Sequence, residues 1–276
     1  MEDPGQSAES GARVAVDAHV HVHTCFDADA FLSGALANLQ LRARLHGQVP
    51  EEALLLVAKM RTGPGFAELM DAVVRSARAG REVLVRDRAV CIDTGAPPRL
   101  VLIPGRQIQT REKLEILTVG AFADPPDAES FDASLAHVVA SESGAILPWA
   151  FGKWTGARRR LILEAMDRHP AGSLHFGDSG ARCAGTPLSG VLRRAWGRGF
   201  ADVRGSDPLP FASEARRVGS FGFYLDGPID LEDPLTWFRS QLRGLRAPVE
   251  TFGARTPLPT FALQQASLQL RGIFGK

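Results

Sequence analysis

An apolar stretch that ends in alternating histidines constrains this chain more than any other feature. The run Val14-Ala15-Val16-Asp17-Ala18-His19-Val20-His21-Val22-His23 reads as a β-strand. In an extended chain, residues two apart point to the same face, so His19, His21 and His23 are expected on one side at the carboxyl end of the strand. Imidazoles at that spacing can grip one divalent cation, because neutral imidazole is the commonest protein metal ligand. Asp17 is placed to support a ligand histidine. Cys25 follows the cluster, and His23 could serve it as a base, but it reads as a small apolar residue at a helix start rather than a nucleophile.

Beyond this run the chain alternates strand-like and helix-like segments. Helical spacing over 28–46 puts Phe31, Leu32, Ala35, Leu36, Leu39 and Ala43 on one stripe. Strands are expected at 52–60, 82–85, 89–92, 99–104, 114–119, 145–149, 173–177, 201–204 and 220–225. Helices are expected at 66–79, 130–141, 158–168, 188–198, 235–242 and 261–273. From Ala145 onward the strand–loop–helix rhythm implies parallel strands with crossover helices, while 82–119 is richer in strands. With 276 residues, the expected organisation is a tail over 1–12 and one closed β/α barrel over 13–276. An open doubly wound sheet is the rival, and no Gly-x-Gly-x-x-Gly follows the first strand to favour it.

A parallel barrel gathers whatever follows its strands onto one rim. The polar residues in those places are His19 and His21, then Arg106 and Gln107, then Trp149 and Lys153, then Asp178, then Asp207. Histidines, carboxylates and cations together suit a hydrolytic metal site or an anion-binding site. Lys153 lies between Trp149 and Trp154 in an arginine-rich chain and is expected to contact substrate, as are Arg106, Gln107 and Trp149. Asp178 and Asp207 are the candidate catalytic carboxylates. Asp207 also has an ordinary reading as a turn residue before Pro208, and Asp178 as a helix cap or turn. His46, His137 and His169 read as surface residues, and His175 as outward or packed.

Three of these segments resemble, in order, motifs of the PHP (polymerase and histidinol phosphatase) family. Asp17-x-His19-x-His21 is similar to its opening motif, although amidohydrolases and TatD-like nucleases also open with His-x-His. Ile103-Pro104-Gly105-Arg106-Gln107-Ile108, with Lys113-Leu114-Glu115-Ile116-Leu117 after it, resembles the Gly-x-Glu motif and the strand that follows. Gly205-Ser206-Asp207 resembles the Gly-Ser-Asp-x-His motif. The resemblance implies a distorted (β/α)7 TIM-like barrel with a metal cluster at its carboxyl rim that activates water against a phosphate ester. It carries over His19, His21 and Asp207 as metal ligands. The departures are specific: Gln107 stands for the glutamate, Leu209 for the last histidine, and Trp149 follows Pro148 where the family has a His-Pro strand end. No Thr-Asp-His segment follows the second strand. One divalent ion (zinc, manganese or iron) is therefore expected rather than three.

The expected function is a metal-dependent phosphoesterase acting on a small anionic molecule. A degenerate barrel serving as a binding or regulatory module and a TatD-like or amidohydrolase-type hydrolase are the alternatives. Lys plus Arg number 32 against 31 Asp plus Glu, and this net charge of +1 offers no footprint for nucleic acid. No apolar run is long enough to span a bilayer, and Met1–Gly11 has no apolar core like that of a signal peptide. Three scattered cysteines, Cys25, Cys91 and Cys183, point to a reducing compartment, so the cytoplasm is expected.

Overall fold

The computed structural model describes residues 12–46, 50–77, 82–86, 88–120, 129–270 and 272. Residues 1–11 of the expected tail over 1–12, residues 78 and 79 of the helix expected at 66–79, and residues 271 and 273 of the expected final helix lie outside them. The elements run β1 (Arg13–Val20), α1 (Ala28–His46), β2 (Glu52–Lys59), α2 (Phe66–Ala77), β3 (Glu82–Arg86), β4 (Ala89–Asp93), β5 (Arg99–Gln109), β6 (Glu115–Val119), α3 (Phe131–Ala140) and β7 (Ala145–Pro148). They continue with α4 (Gly156–Arg168), β8 (Leu174–Gly177), α5 (Gly190–Gly197), a 3-10 turn (Ala212–Arg217), β9 (Phe221–Asp226), α6 (Pro234–Gly244), β10 (Thr251–Gly253) and α7 (Leu258–Leu270).

The result is a mixed α/β fold built on one curled sheet in the order β10-β9-β1-β2-β5-β6-β7-β8, with β3 and β4 attached beside β5. β1, β2 and β5 pair in parallel, as do β7 and β8, whereas β6 runs antiparallel between β5 and β7, and β9 antiparallel to β1. The closed β/α barrel expected from the strand–helix rhythm is thus corrected to a curled half-barrel. The expected strand at 201–204 is instead an irregular extended segment. It runs between the free edge of β8 and the second half of β1: Val203 N donates to Phe176 O (3.0 Å), Ala18 N to Arg204 O (3.0 Å) and Asp207 N to His19 O (2.8 Å). Glycine makes this closeness possible, because a Cβ on Gly205 would stand 2.3 Å from the backbone nitrogen of His19.

Strand alternation divides the apolar residues between the two faces of the curl. Val14, Val16, Leu54, Leu56, Val101, Ile103, Leu117, Val119 and Ile146 point inward, and Phe238 and Leu242 of α6 pack among them. Ala15, Leu55, Val57, Leu100 and Leu102 point outward beneath α1, whose Phe31, Leu32, Ala35 and Leu39 form the stripe read from the sequence. α3, α4 and α5 cover the outside of β6 to β8. Caps are conventional where Ser130, Ser189 and Asp233 accept from backbone N–H groups at the starts of α3, α5 and α6. No helix among the described residues is long and apolar enough to cross a membrane. Cys25 is exposed, Cys91 and Cys183 are buried, and all three are free thiols.

Candidate metal centre

Inward-facing residues of β1 run Val14, Val16, Ala18, so simple alternation would turn His19 outward with Asp17. The pairing of β1 with β2 instead slips between Asp17 and Val20, from partner Leu55 to partner Val57. This irregularity re-aims the end of the strand, the usual effect of a bulge next to a site. His19 and His21 now face the mouth of the curl while Val20 packs in the outer layer. Asp17 stays outside and buried, accepting from Ser206 N (2.8 Å), Gly219 N (2.8 Å) and His19 N (3.3 Å). It ties β1 to the returning segment, and burial pushes its carboxyl up to about 6 against those hydrogen bonds.

At the mouth, His19 Nε2 lies 2.9 Å from His21 Nε2, and each lies 3.1 Å from Gln107 Oε1. Asp207 Oδ1 is 3.6 Å from His19 Nε2 and 3.7 Å from His21 Nε2. A tetrahedral shell with bonds of about 2.0–2.1 Å has donor–donor edges of about 3.3 Å, inside the span of these separations. His21 Nδ1 faces Ala58 O at 2.9 Å. A carbonyl only accepts, so Nδ1 carries the proton and Nε2 presents a lone pair. Burial, reinforced by the neighbouring His19, pushes His21 down to about 4, so it is neutral at pH 7.

Second contacts aim the remaining donors. Gln107 Nε2 donates to Glu115 Oε1 (3.1 Å), which turns the amide oxygen toward the histidines. Glu115 shares the inward face of β6 with Leu117 and Val119, and Lys153 from the β7–α4 loop forms an ion pair with it. Asp207 sits in the left-handed region (φ +50°), a conformation that Asp tolerates better than most residues. Its N–H reaches back to His19 O, and Ser179 Oγ donates to its Oδ2 at 2.8 Å. Burial alone would raise the Asp207 carboxyl, but His19, His21 and the Ser179 hydroxyl outweigh it and hold the group below the ordinary carboxylate range.

The structure thus brings together His19, His21, Asp207, Gln107 and Lys153 among the residues read from the sequence. It does not bring in three others. His23 turns away, with Nε2 3.0 Å from Pro208 O. Arg106 alternates with Gln107 and so lies on the outer face of β5, in register with Lys59 of β2. Asp178 is buried, but Arg182 and Arg255 occupy its carboxylate at 2.7–2.9 Å, so no oxygen is left to serve as a base. Trp149 stands beside the site, its ring 5.4 Å from the Arg182 guanidinium. Glu115 is a contributor that strand alternation alone would have placed. Phe151 and Phe261, which flank the mouth with Leu209, carry no motif.

A cavity of about 150 Å³ opens at this mouth, with Glu115, Lys153, Ser179 and Asp207 on its polar side. No family model and no curated protein matches the chain. Among solved structures the fold is similar to that of PsfC from Pseudomonas syringae PB-5123, with a TM-score of 0.55 and 14% sequence identity over 96% of this chain and 100% of that one. At that identity the likeness concerns the fold alone.

Proposed function

We propose that the chain is a single-metal hydrolase, a phosphoesterase that acts on a small anionic molecule at the mouth of a distorted PHP-type barrel. One observation carries this reading: three lone pairs converge, and of the four atoms that meet there only His19 Nε2 can carry a proton, in one of its two tautomers. His21 Nε2, Gln107 Oε1 and Asp207 Oδ1 are all acceptors, and each is oriented by a contact on its far side. Buried acceptors facing one another repel unless a cation lies between them. His19, His21 and Asp207 would hold that cation, with the Gln107 oxygen beside them. When bound, a divalent zinc, manganese or iron ion supplies Lewis acidity toward water and toward a phosphoryl oxygen.

The chain's own groups handle the rest. Lys153 offers an ammonium to the substrate anion, and Glu115 holds it in place. Ser179 keeps Asp207 turned to the imidazoles. Gln107 is neutral and bridges cations poorly, which supports one ion rather than a cluster. That same amide supports a second reading, a pocket retained for binding without turnover. Three free thiols support a reducing, cytoplasmic setting.

The test is metal content after dialysis against zinc, manganese and iron, with His19→Ala as control, followed by turnover of phosphomonoesters. About one equivalent bound, lost in the variant, with metal-dependent ester hydrolysis is the expected result. Stoichiometric metal without turnover selects the binding module, and amide hydrolysis in place of ester hydrolysis selects an amidohydrolase-type enzyme. Equal and negligible metal in both proteins overturns the reading.

A further inference from the structure

The cavity at the metal centre is lined by two chemically different kinds of group. Glu115, Lys153, Ser179, Arg182, Asp207 and Gln265 give it polar groups, and Trp149, Phe151, Leu209 and Phe261 give it apolar ones. Phe151 is 61% exposed, an unusual cost for a phenyl ring in a loop. It meets the ring of Phe261 of α7 edge to face, with 5.7 Å between centroids. Trp149 lines the same space, as does Arg182, whose guanidinium lies 5.4 Å from the indole ring. Two segments over one hundred residues apart therefore deliver aromatic rings to the rim of a polar site. A flat apolar group at such a rim would be covered on several sides and would find edge-to-face partners in the rings.

We infer that the ligand is an anionic ester or acid carrying one aromatic ring, with the anion at Lys153 and the metal centre and the ring between Trp149, Phe151 and Phe261. The size agrees, since a cavity near 150 Å³ is about that which accepts a single benzene ring. The placement of the anion rests on the metal-centre reading of the previous section; the placement of the ring rests on the aromatic wall alone.

Calorimetric titration of the metal-loaded full chain with phenylphosphonate and methylphosphonate, whose C–P bonds leave no ester to hydrolyse, separates the two. Phenylphosphonate is expected to bind on the order of 50-fold more tightly, from covering one ring. Phe151→Ala and Phe261→Ala, with unchanged melting temperatures, should each cut that preference several-fold and leave methylphosphonate affinity alone. Equal affinity for the two phosphonates, both dependent on metal, overturns the aromatic ligand while the metal centre stands. A phenyl preference that survives removal of the metal and persists in His19→Ala supports the aromatic wall and removes the metal centre as the anion's holder. Binding of neither overturns the inference.

Discussion

Two aspartates follow the β8 edge and the returning segment beside it, and they have opposite fates. Asp178 lies just past β8 and Asp207 at the end of 201–207, and each comes after an apolar stretch and a glycine. Asp178 is met by two guanidinium groups, from Arg182 four residues on and from Arg255 seventy-seven residues on. Asp207 is met by two imidazole nitrogens and one hydroxyl. A carboxylate already neutralised by permanent cations is structural, because burial makes any change of its charge costly. One that faces lone pairs and titratable rings keeps an unmet demand for positive charge. Location at a strand end separates neither case; the identity of the partners does.

Removal of each carboxylate should break the protein in a different way. Asp178→Ala leaves the Arg182 side chain, which is 1% exposed, as an uncompensated buried charge. The expected cost is about 3–5 kcal/mol, read by denaturant unfolding, with metal stoichiometry unchanged in the molecules that remain folded. Asp207→Ala should change stability far less but weaken metal binding by about 100-fold, read by competition with a chelating dye. Two variants that lose stability and metal in the same proportion would show the contrast to be false.

Part of this contrast was legible in the chain and part was not. Helical spacing placed α1 over its whole length, and the apolar runs located β2, β3, β4 and β9 closely. His19, His21 and Asp207 were legible because their residue types are informative and each ends an apolar stretch. The reason the histidines face inward was not legible, since a one-residue slip in pairing depends on β2 and leaves no local mark. Nor was the fate of Asp178, because its decisive partner Arg255 comes from the loop before α7. The three-residue β10 and the 3-10 turn are too short to give a periodic signal, and 201–207 lost its status as a strand because neither neighbour offers it a regular ladder.

That returning segment gives the next test. Gly205 passes so close to His19 that the added methyl of Gly205→Ala must move the backbone of one or the other. Overpacking of this kind costs about 1–3 kcal/mol. Since Asp207 N is anchored on His19 O, the same shift should loosen the metal centre, and the variant should lose metal affinity as well as stability. A variant that loses stability alone would mean that Asp207 is positioned by Ser179 rather than by the backbone, which Ser179→Ala would then confirm.

The smallest expected effect at neutral pH concerns two buried histidines, His21 at the mouth and His175 in β8. Burial pushes both down to about 4. His175 shares a register position with Ile146, so it faces the inner core, and its ring nitrogens make no well-aligned hydrogen bond there. In the unfolded chain it takes up a proton below about 6.5, but in the folded chain only below about 4. Between those values the unfolded chain holds the extra proton, so falling pH favours unfolding. Asp17 and Asp202 act in the opposite sense, since burial raises both to about 6 from 3.8 and the folded chain holds the extra proton in that window. His175→Leu removes one acid-side contribution and leaves both aspartates. The stability difference between variant and parent should therefore shift in the variant's favour by roughly 1 kcal/mol per pH unit as pH falls from 6.5 to 4. The same substitution should leave metal content unchanged, because His175 lies outside the group that converges on Asp207. A pH-independent difference would mean that His175 is no more buried from protons than it is in the unfolded chain, and metal loss would mean that the core and the mouth are one site rather than two.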